Sequence, residues 1–184
     1  SVAGLLLQTT FDNPLAGPSI LGVSTGSSLG VAIVMLALGG SIGHSLGSYV
    51  SILAGALLGA GIIILTLPAF SSIVKSSIML LIIGILVSHL ASSAISLLNF
   101  FSTQEGVHSF VIWGLGNFSG VTFERLPIFA SLIIIALGLS LLLVKPLNAL
   151  LLGARYAENL GVNIRATRNK LLILSGVLTA VVTA

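Results

Sequence analysis

Charge is what this chain has least of. Only 6% of its 184 residues are Asp, Glu, Lys or Arg, where a soluble domain carries about a quarter. So few charges cannot cover a water-facing surface of this size, and an ordinary soluble domain is excluded. Cysteine is absent altogether, which removes disulfide frameworks, zinc sites and thiol catalysis. Acidic residues number four, and none lies within a long apolar run. What remains is oil: 56% of the residues are hydrophobic and the mean hydropathy is +1.21. The chain reads as an integral membrane protein. Its seven basic residues give a net charge of +3, but they are too few and too scattered to track a phosphate backbone, so nucleic acid is not expected as a partner. They are better read as markers of cytoplasmic loops.

The charges punctuate the apolar runs. Between Asp12 and Lys75 none occurs, leaving room for two helices of about 20 residues each with a turn between them. The runs predict spans at Ser19–Leu38 and Leu46–Phe70, with the turn at Gly39–His44. Further spans are expected at Ser76–Phe101 and Leu126–Val144, a fifth begins at Leu171, and Val2–Thr10 ends an earlier one. Helices are preferred to barrel strands because the runs do not alternate polar with apolar. Lys75 and the basic stretch Lys145–Lys170 fall on one side, which the positive-inside rule makes the cytoplasm. The first residues, SVAGLLLQTTFDNP, lack the basic region of a signal peptide. The chain opens and closes inside apolar runs, so the expectation is one transmembrane domain over residues 1–184, truncated at both ends.

Small residues mark helix contacts. Gly22, Gly26 and Gly30 recur every fourth position, and Gly55 and Gly59 repeat the spacing in the next span. Such stripes let backbones approach closely in lipid, and ordinary packing within one bundle is favoured over a dedicated dimer seam. Polar residues collect on the Ser76–Phe101 span. Ser88, Ser92 and Ser96 share a face, with Asn99 close to it, so the stripe faces either a neighbouring helix or a water-filled path. His89 is the one ionisable residue well inside a span; with no carboxylate partner it reads as neutral and hydrogen-bonded rather than as a proton relay. Val107, Phe110, Val111 and Trp113 suit a short amphipathic helix at the outer interface, with Trp113 as a belt residue.

Five of the seven basic residues, Lys145, Arg155, Arg165, Arg168 and Lys170, lie in KPLNALLLGARYAENLGVNIRATRNK. Pro146 ends or restarts a helix. Leu150–Leu160 is helix-compatible, with Arg155 and Glu158 one turn apart and Gly161 as its stop. Asn163 caps a second short helix carrying Arg165, Arg168 and Lys170. The result is either a projecting knob or a solvated loop that only sets topology.

Together, Asn13-Pro14-Leu15-Ala16-Gly17-Pro18 with ILGVSTGSSLG after it, Ala54-Gly55-Ala56-Leu57, Trp113-x-x-Gly116 with Gly120, and KPLNALLLGARYAENLGVN resemble the FecCD-type permeases. These are the transmembrane subunits of type II ABC importers for iron–siderophores, haem and cobalamin. Gly17 stands where the family usually has Asp. The resemblance implies an all-α polytopic helix bundle, here a fragment of a subunit of about ten helices, in the bacterial or archaeal cytoplasmic (inner) membrane. It implies no enzyme and no cofactor in this subunit, since ATP is bound by a partner ATPase. Other implied partners are a periplasmic or lipid-anchored substrate-binding protein, a second permease copy or close paralogue, and membrane lipid.

The resemblance also distributes roles. Residues 146–169 would be the cytoplasmic coupling loop, with Gly153, Ala154, Arg155, Tyr156, Ala157, Glu158, Asn159, Leu160, Gly161 and Val162 resting in a cleft of the ATPase. Ser76 and Ser77 would stand at the cytoplasmic gate, and Ser88, Ser92, Ser96 and Asn99 would line the translocation path. An iron complex is the expected cargo, with cobalamin as the alternative. An ion-coupled secondary transporter would instead need intramembrane carboxylates, and an intramembrane enzyme a catalytic constellation; the apolar runs offer neither.

Overall fold

The computed structural model describes residues 2–37, 46–73, 77–116, 123 and 126–183, and all regular elements among them are helical. In chain order these are α1 (Val2–Phe11), α2 (Val23–Ala32) continued by a π-helical turn (Ile33–Ala37), α3 (Leu46–Ile73), α4 (Ser77–Phe101), α5 (Gln104–Gly114), α6 (Leu126–Leu142), α7 (Val144–Leu151), α8 (Ala154–Asn159) and α9 (Ile164–Thr183). The expected turn at Gly39–His44, Lys75 and the Glu124–Arg125 pair lie outside the described residues. By length and composition, α3 and α4 can each cross a bilayer, and α6 with α7 form a third, bent candidate.

The first expected span does not begin at Ser19. Helix α2 starts at Val23, because Gly22 adopts φ +78° and breaks the backbone there. The residues before it are partly enclosed: Ala16 and Leu21 are fully buried, whereas Pro14, Leu15 and Ser19 are exposed. Gly22 lies against Ser88 and Gly84 against Leu21, so this irregular stretch enters the bundle beside the first three turns of α4. Non-helical backbone at such depth must find hydrogen bonds inside the protein, and it does. The N–H of Leu15 donates to Asn13 Oδ1 at 2.9 Å, Gln8 Nε2 donates to the carbonyl of Pro14 at 3.0 Å, and the Val23 N–H reaches Pro18 O at 2.9 Å.

The glycine stripes meet within the chain. A Cβ on Gly55 would stand 2.8 Å from the Gly30 carbonyl oxygen, and one on Gly26 would stand 2.9 Å from that of Gly59; Gly30 and Gly59 are crossed as closely by Gly55 O and Gly26 O. Only glycine permits this crossing of α2 and α3, which brings backbone against backbone where lipid offers no hydrophobic drive for association. Helix α9 packs beside them, its Gly176 covered by Ile64 of α3 and Val23 of α2. Leu7, Phe11, Leu21, Val23, Ile63 and Leu172 close the central cluster.

Three further expectations change. The Leu126–Val144 span breaks at Leu143, where α6 and α7 meet at a 51° bend; Pro146 falls in the first turn of α7, where its missing N–H has no intrahelical role. Leu150–Leu160 is two helices rather than one, because Gly153 takes φ +106° and separates α7 from α8. Asn163 does cap a helix, its Oδ1 accepting from the Ala166 N–H at 3.0 Å. That helix is α9 itself, so Arg165, Arg168 and Lys170 form its opening turns rather than a separate element.

Candidate functional site

Two surfaces carry the polar residues singled out above, a knob at one end of the bundle and the side of α4. Tyr49 and Leu53 at the start of α3 cluster with Val181 near the end of α9 and pack against Phe129 at the start of α6. Helix α5, which follows α4, therefore belongs to that end, and α7, α8 and the start of α9 belong to the other.

At the second end the chain builds a small knob. Leu147 and Ala149 of α7 are buried, and Leu147 shares a cluster with Leu171 and Leu174 of α9 and Leu6 of α1. From that footing Gly153 turns the chain into α8. Helix α8 closes with a reciprocal pair: the Gly161 N–H donates to Glu158 O at 2.8 Å and the Val162 N–H to Ala157 O at 3.0 Å, with Gly161 at φ +80°. This is the C-terminal motif that favours glycine at the left-handed position. Ala157 is fully buried and pins the helix, and Val162 is half-buried. Ala154, Arg155, Tyr156, Glu158, Asn159 and Leu160 are exposed. The knob thus presents a cation, a carboxylate, a phenol and an apolar side chain on a two-turn helix fixed at both ends. Beside it Arg168 is half-buried, and its Nε is enclosed with no hydrogen-bond partner.

The second surface is the open side of α4. Ser76 lies outside the described residues, and Ser77 is placed only as the first residue of the helix. The remaining stripe divides. Ser88 is half-buried beside Gly22 and returns its hydroxyl to Gly84 O at 2.9 Å. Ser92 and Ser96 are exposed, and Ser96 donates to Ser92 O at 3.1 Å. Asn99 is half-buried, and its Oδ1 is enclosed with no partner. His89 is exposed on the same helix, and Ser93 donates to its carbonyl at 2.9 Å. A serine that bonds its own helix still keeps lone pairs to offer outward. The face therefore combines weak acceptors with Leu86, Leu90, Leu97 and Phe100, all exposed.

Two contacts were not visible in the sequence. The Ser102 hydroxyl lies 3.2 Å from Leu36 O in the π turn and 2.7 Å from Leu98 O. Thr103 caps α5 by accepting from the Gly106 N–H at 3.2 Å. The Ser-Thr pair at the end of an apolar run is the one sequence signal that points there. Trp113 is half-buried, stacks on Phe110 at 5.6 Å and 26°, and both rings pack against the cluster of Val31, Met35, Ile52 and Ala56.

Helices crossed on glycine stripes, a partly buried irregular segment and a capped helical knob at one end define a helical membrane bundle. The chain belongs to the FecCD transport family, whose pattern matches residues 1–184. It is 33% identical over 181 residues to the hemin transport system permease protein HmuU of Yersinia pestis, covering 97% of this chain and 53% of that protein. It is 32% identical over 177 residues to the vitamin B12 import system permease protein BtuC of Citrobacter koseri, covering 96% and 52%. With the molybdate import system permease protein MolB of Haemophilus influenzae it shares 34% over 183 residues, covering 98% and 52%. The chain thus spans about half the length of these relatives. Among solved structures, it superposes on a metal-chelate type ABC transporter in an inward-facing conformation with a TM-score of 0.82 at 32% identity, covering 98% of this chain and 56% of that one.

Proposed function

We propose that this chain is part of the permease subunit of an ABC importer and that α8 is the element through which a partner ATPase drives it. The observation that carries the reading is the knob: a short helix locked by glycines at φ +106° and φ +80°, anchored by a fully buried Ala157, with its charged face turned outward. A loop that only set topology would need its charges but not this capped and anchored helix. In the reading, Gly153–Val162 seats in the ATPase, Ser76 and Ser77 stand at the cytoplasmic gate, and Ser88, Ser92, Ser96 and Asn99 face the path. The subunit itself performs no covalent chemistry; ATP is hydrolysed by the partner, and a second permease copy or close paralogue completes the path. A substrate-binding protein delivers cargo at the α5 end.

The cargo we propose is an iron complex, a siderophore or haem. An α4 face of hydroxyl oxygens and aliphatic side chains suits a bulky ligand whose charge is already masked by chelation, and the relative from Yersinia pestis is named for hemin transport. Cobalamin is the second reading, favoured by the similarity to a vitamin B12 permease. The test is a charge exchange, Arg155→Glu with Glu158→Arg, in the full-length subunit. The expected outcome is normal membrane insertion with a loss of transport-coupled ATPase activity. Unchanged coupling would count against the docking role. Uptake of a labelled haem, ferric siderophore and cobalamin by the intact importer then ranks the cargoes.

A further inference from the structure

We propose that the seam between α3 and α9 binds an anionic phospholipid, with one acyl chain in a groove beside Gly61 and the headgroup phosphate at Lys170. The groove holds about 240 Å³ and is lined by Leu57, Gly61 and Leu65 of α3 with Ile173, Gly176 and Val177 of α9. All of its described lining residues are aliphatic or glycine. The glycines of α3 are not alike. Gly55 and Gly59 belong to the crossing with α2, whereas Gly61 has nothing within 4 Å of where a Cβ would stand. Glycine weakens a helix interior, and no described neighbour requires this one to be small. The space above it is open to an occupant from outside the described chain. An apolar slot of this kind stays dry, and its walls gain dispersion contacts when an apolar chain fills it.

The dimensions and the charge at the mouth point to a lipid. From Leu57 to Leu65 is about 12 Å of helix rise, against about 15 Å for half of a bilayer's hydrocarbon core. Because the start of α3 meets the end of α9, the Leu65 and Ile173 end of the groove points toward the knob. Leu65 and Ile173 are 71% and 50% exposed, so the groove opens outward and not into the core. Lys170 stands at this mouth. It precedes Ile173 by three residues and Val177 by seven, which puts all three on one side of α9. Its Cα lies about 4.5 Å beyond that of Ile173 along the axis. Lys170 is exposed, and the one carboxylate from Lys145 to the end of α9 is Glu158, on the knob. A cation at the end of an apolar groove between membrane helices is suited to hold an anionic headgroup, and the long lysine stem reaches it while covering apolar surface. A helix from elsewhere in the full-length permease, laid in the same groove, would instead cover Lys170 and desolvate its ammonium.

The site requires only that the chain sits in a bilayer; assigning it to the cytoplasmic leaflet rests on the permease reading. The test uses the full-length permease in nanodiscs of phosphatidylcholine with a minor fraction of phosphatidylglycerol that carries a photoreactive diazirine midway along one acyl chain. Crosslinks are mapped by peptide mass spectrometry. The expected result is labelling of residues 57–65 and 173–180. Lys170→Gln is expected to lower it about fivefold, the effect of one basic residue near an anionic surface, to the level given by the same diazirine on phosphatidylcholine. Gly61→Phe finds open space at its Cβ, fills the groove, and is expected to abolish labelling there while labelling of the open face of α4 persists. A wild type labelled only elsewhere overturns the proposal and shows that another segment of the permease fills the seam. Full groove labelling in Gly61→Phe overturns the acyl-chain seat, and equal labelling of the wild type by the two lipids overturns the anionic headgroup. If Gly61→Phe fails to insert, the Lys170→Gln comparison, made at an exposed residue, still decides. Failure of the permease to associate with an ATPase would remove the leaflet assignment and leave the crosslinks to decide the site.

Discussion

At Gly30 and Gly59 the packing of the bundle is decided by the absence of a side chain. Each faces a backbone carbonyl of the opposite helix closer than any Cβ could stand, so Gly30→Ala or Gly59→Ala must push α2 and α3 apart. Overpacking of this kind costs about 1–3 kcal/mol, and the expected result is a lower midpoint in thermal unfolding of the detergent-solubilised permease. Ser27 is the opposite case. It is fully buried in α2 and its hydroxyl has no partner, so the hydroxyl's desolvation is uncompensated. Replacing it with alanine removes that penalty, which is about 1–3 kcal/mol for a buried unsatisfied group, and leaves only a small void. Ser27→Ala is expected to unfold at the same or a higher temperature; a clear loss would mean that the hydroxyl is satisfied by a bound water. The glycine spacing could be read directly from the sequence, because a fourfold repeat has one face whatever it packs against. Ser27 could not, since its burial depends on which helices surround it.

Helix α8 is an element whose stability is set by its ends. Six residues are too few to hold a helix by propensity, and the left-handed glycine at its C-terminus and the buried Ala157 take that role. Gly161→Ala places a Cβ in the left-handed region at about 1–2 kcal/mol. It is expected to raise hydrogen exchange in residues 154–162 and to weaken ATPase coupling while insertion is unchanged. Unaltered exchange would show that the knob is held by something other than its cap. This stop was legible because Gly161 follows a charged amphipathic stretch, and the Asn163 cap was legible for the same reason. The breaks at Gly22, Leu143 and Gly153 were not. A glycine inside an apolar run is equally compatible with helix and with a left-handed turn, and only the neighbours, Ser88 at Gly22 and Leu147 beyond Leu143, decide between them. The π turn was likewise invisible, since no residue pattern in Ile33–Ala37 marks it.

The molecule as a whole places one polar surface, the α8 knob, at an end of a glycine-tight unit and the other along the side of α4. Helices α2, α3 and α9 form the stiff centre, and α4 lies along it with most of its outer face open. The composition announced a membrane protein from scarcity of charge, the unalternating apolar runs made it helical, and the order of the NPLAGP, ILGVSTGSSLG and KPLNALLLGARYAENLGVN segments announced the family. The serine stripe of α4 could be read from the sequence. Which of its serines remain exposed could not, because Ser88 is covered by the irregular segment before α2 and Ser92 is not.

The central claim is that Gly153–Val162 is the docking knob for an ATPase. The most direct measurement is co-purification of the full-length permease with its ATPase, comparing the natural chain with one whose Gly153–Val162 segment is replaced by a flexible Gly-Ser linker of equal length. Loss of association with intact membrane insertion is the predicted result. Retained association would contradict the account and reduce the segment to a loop that only sets topology.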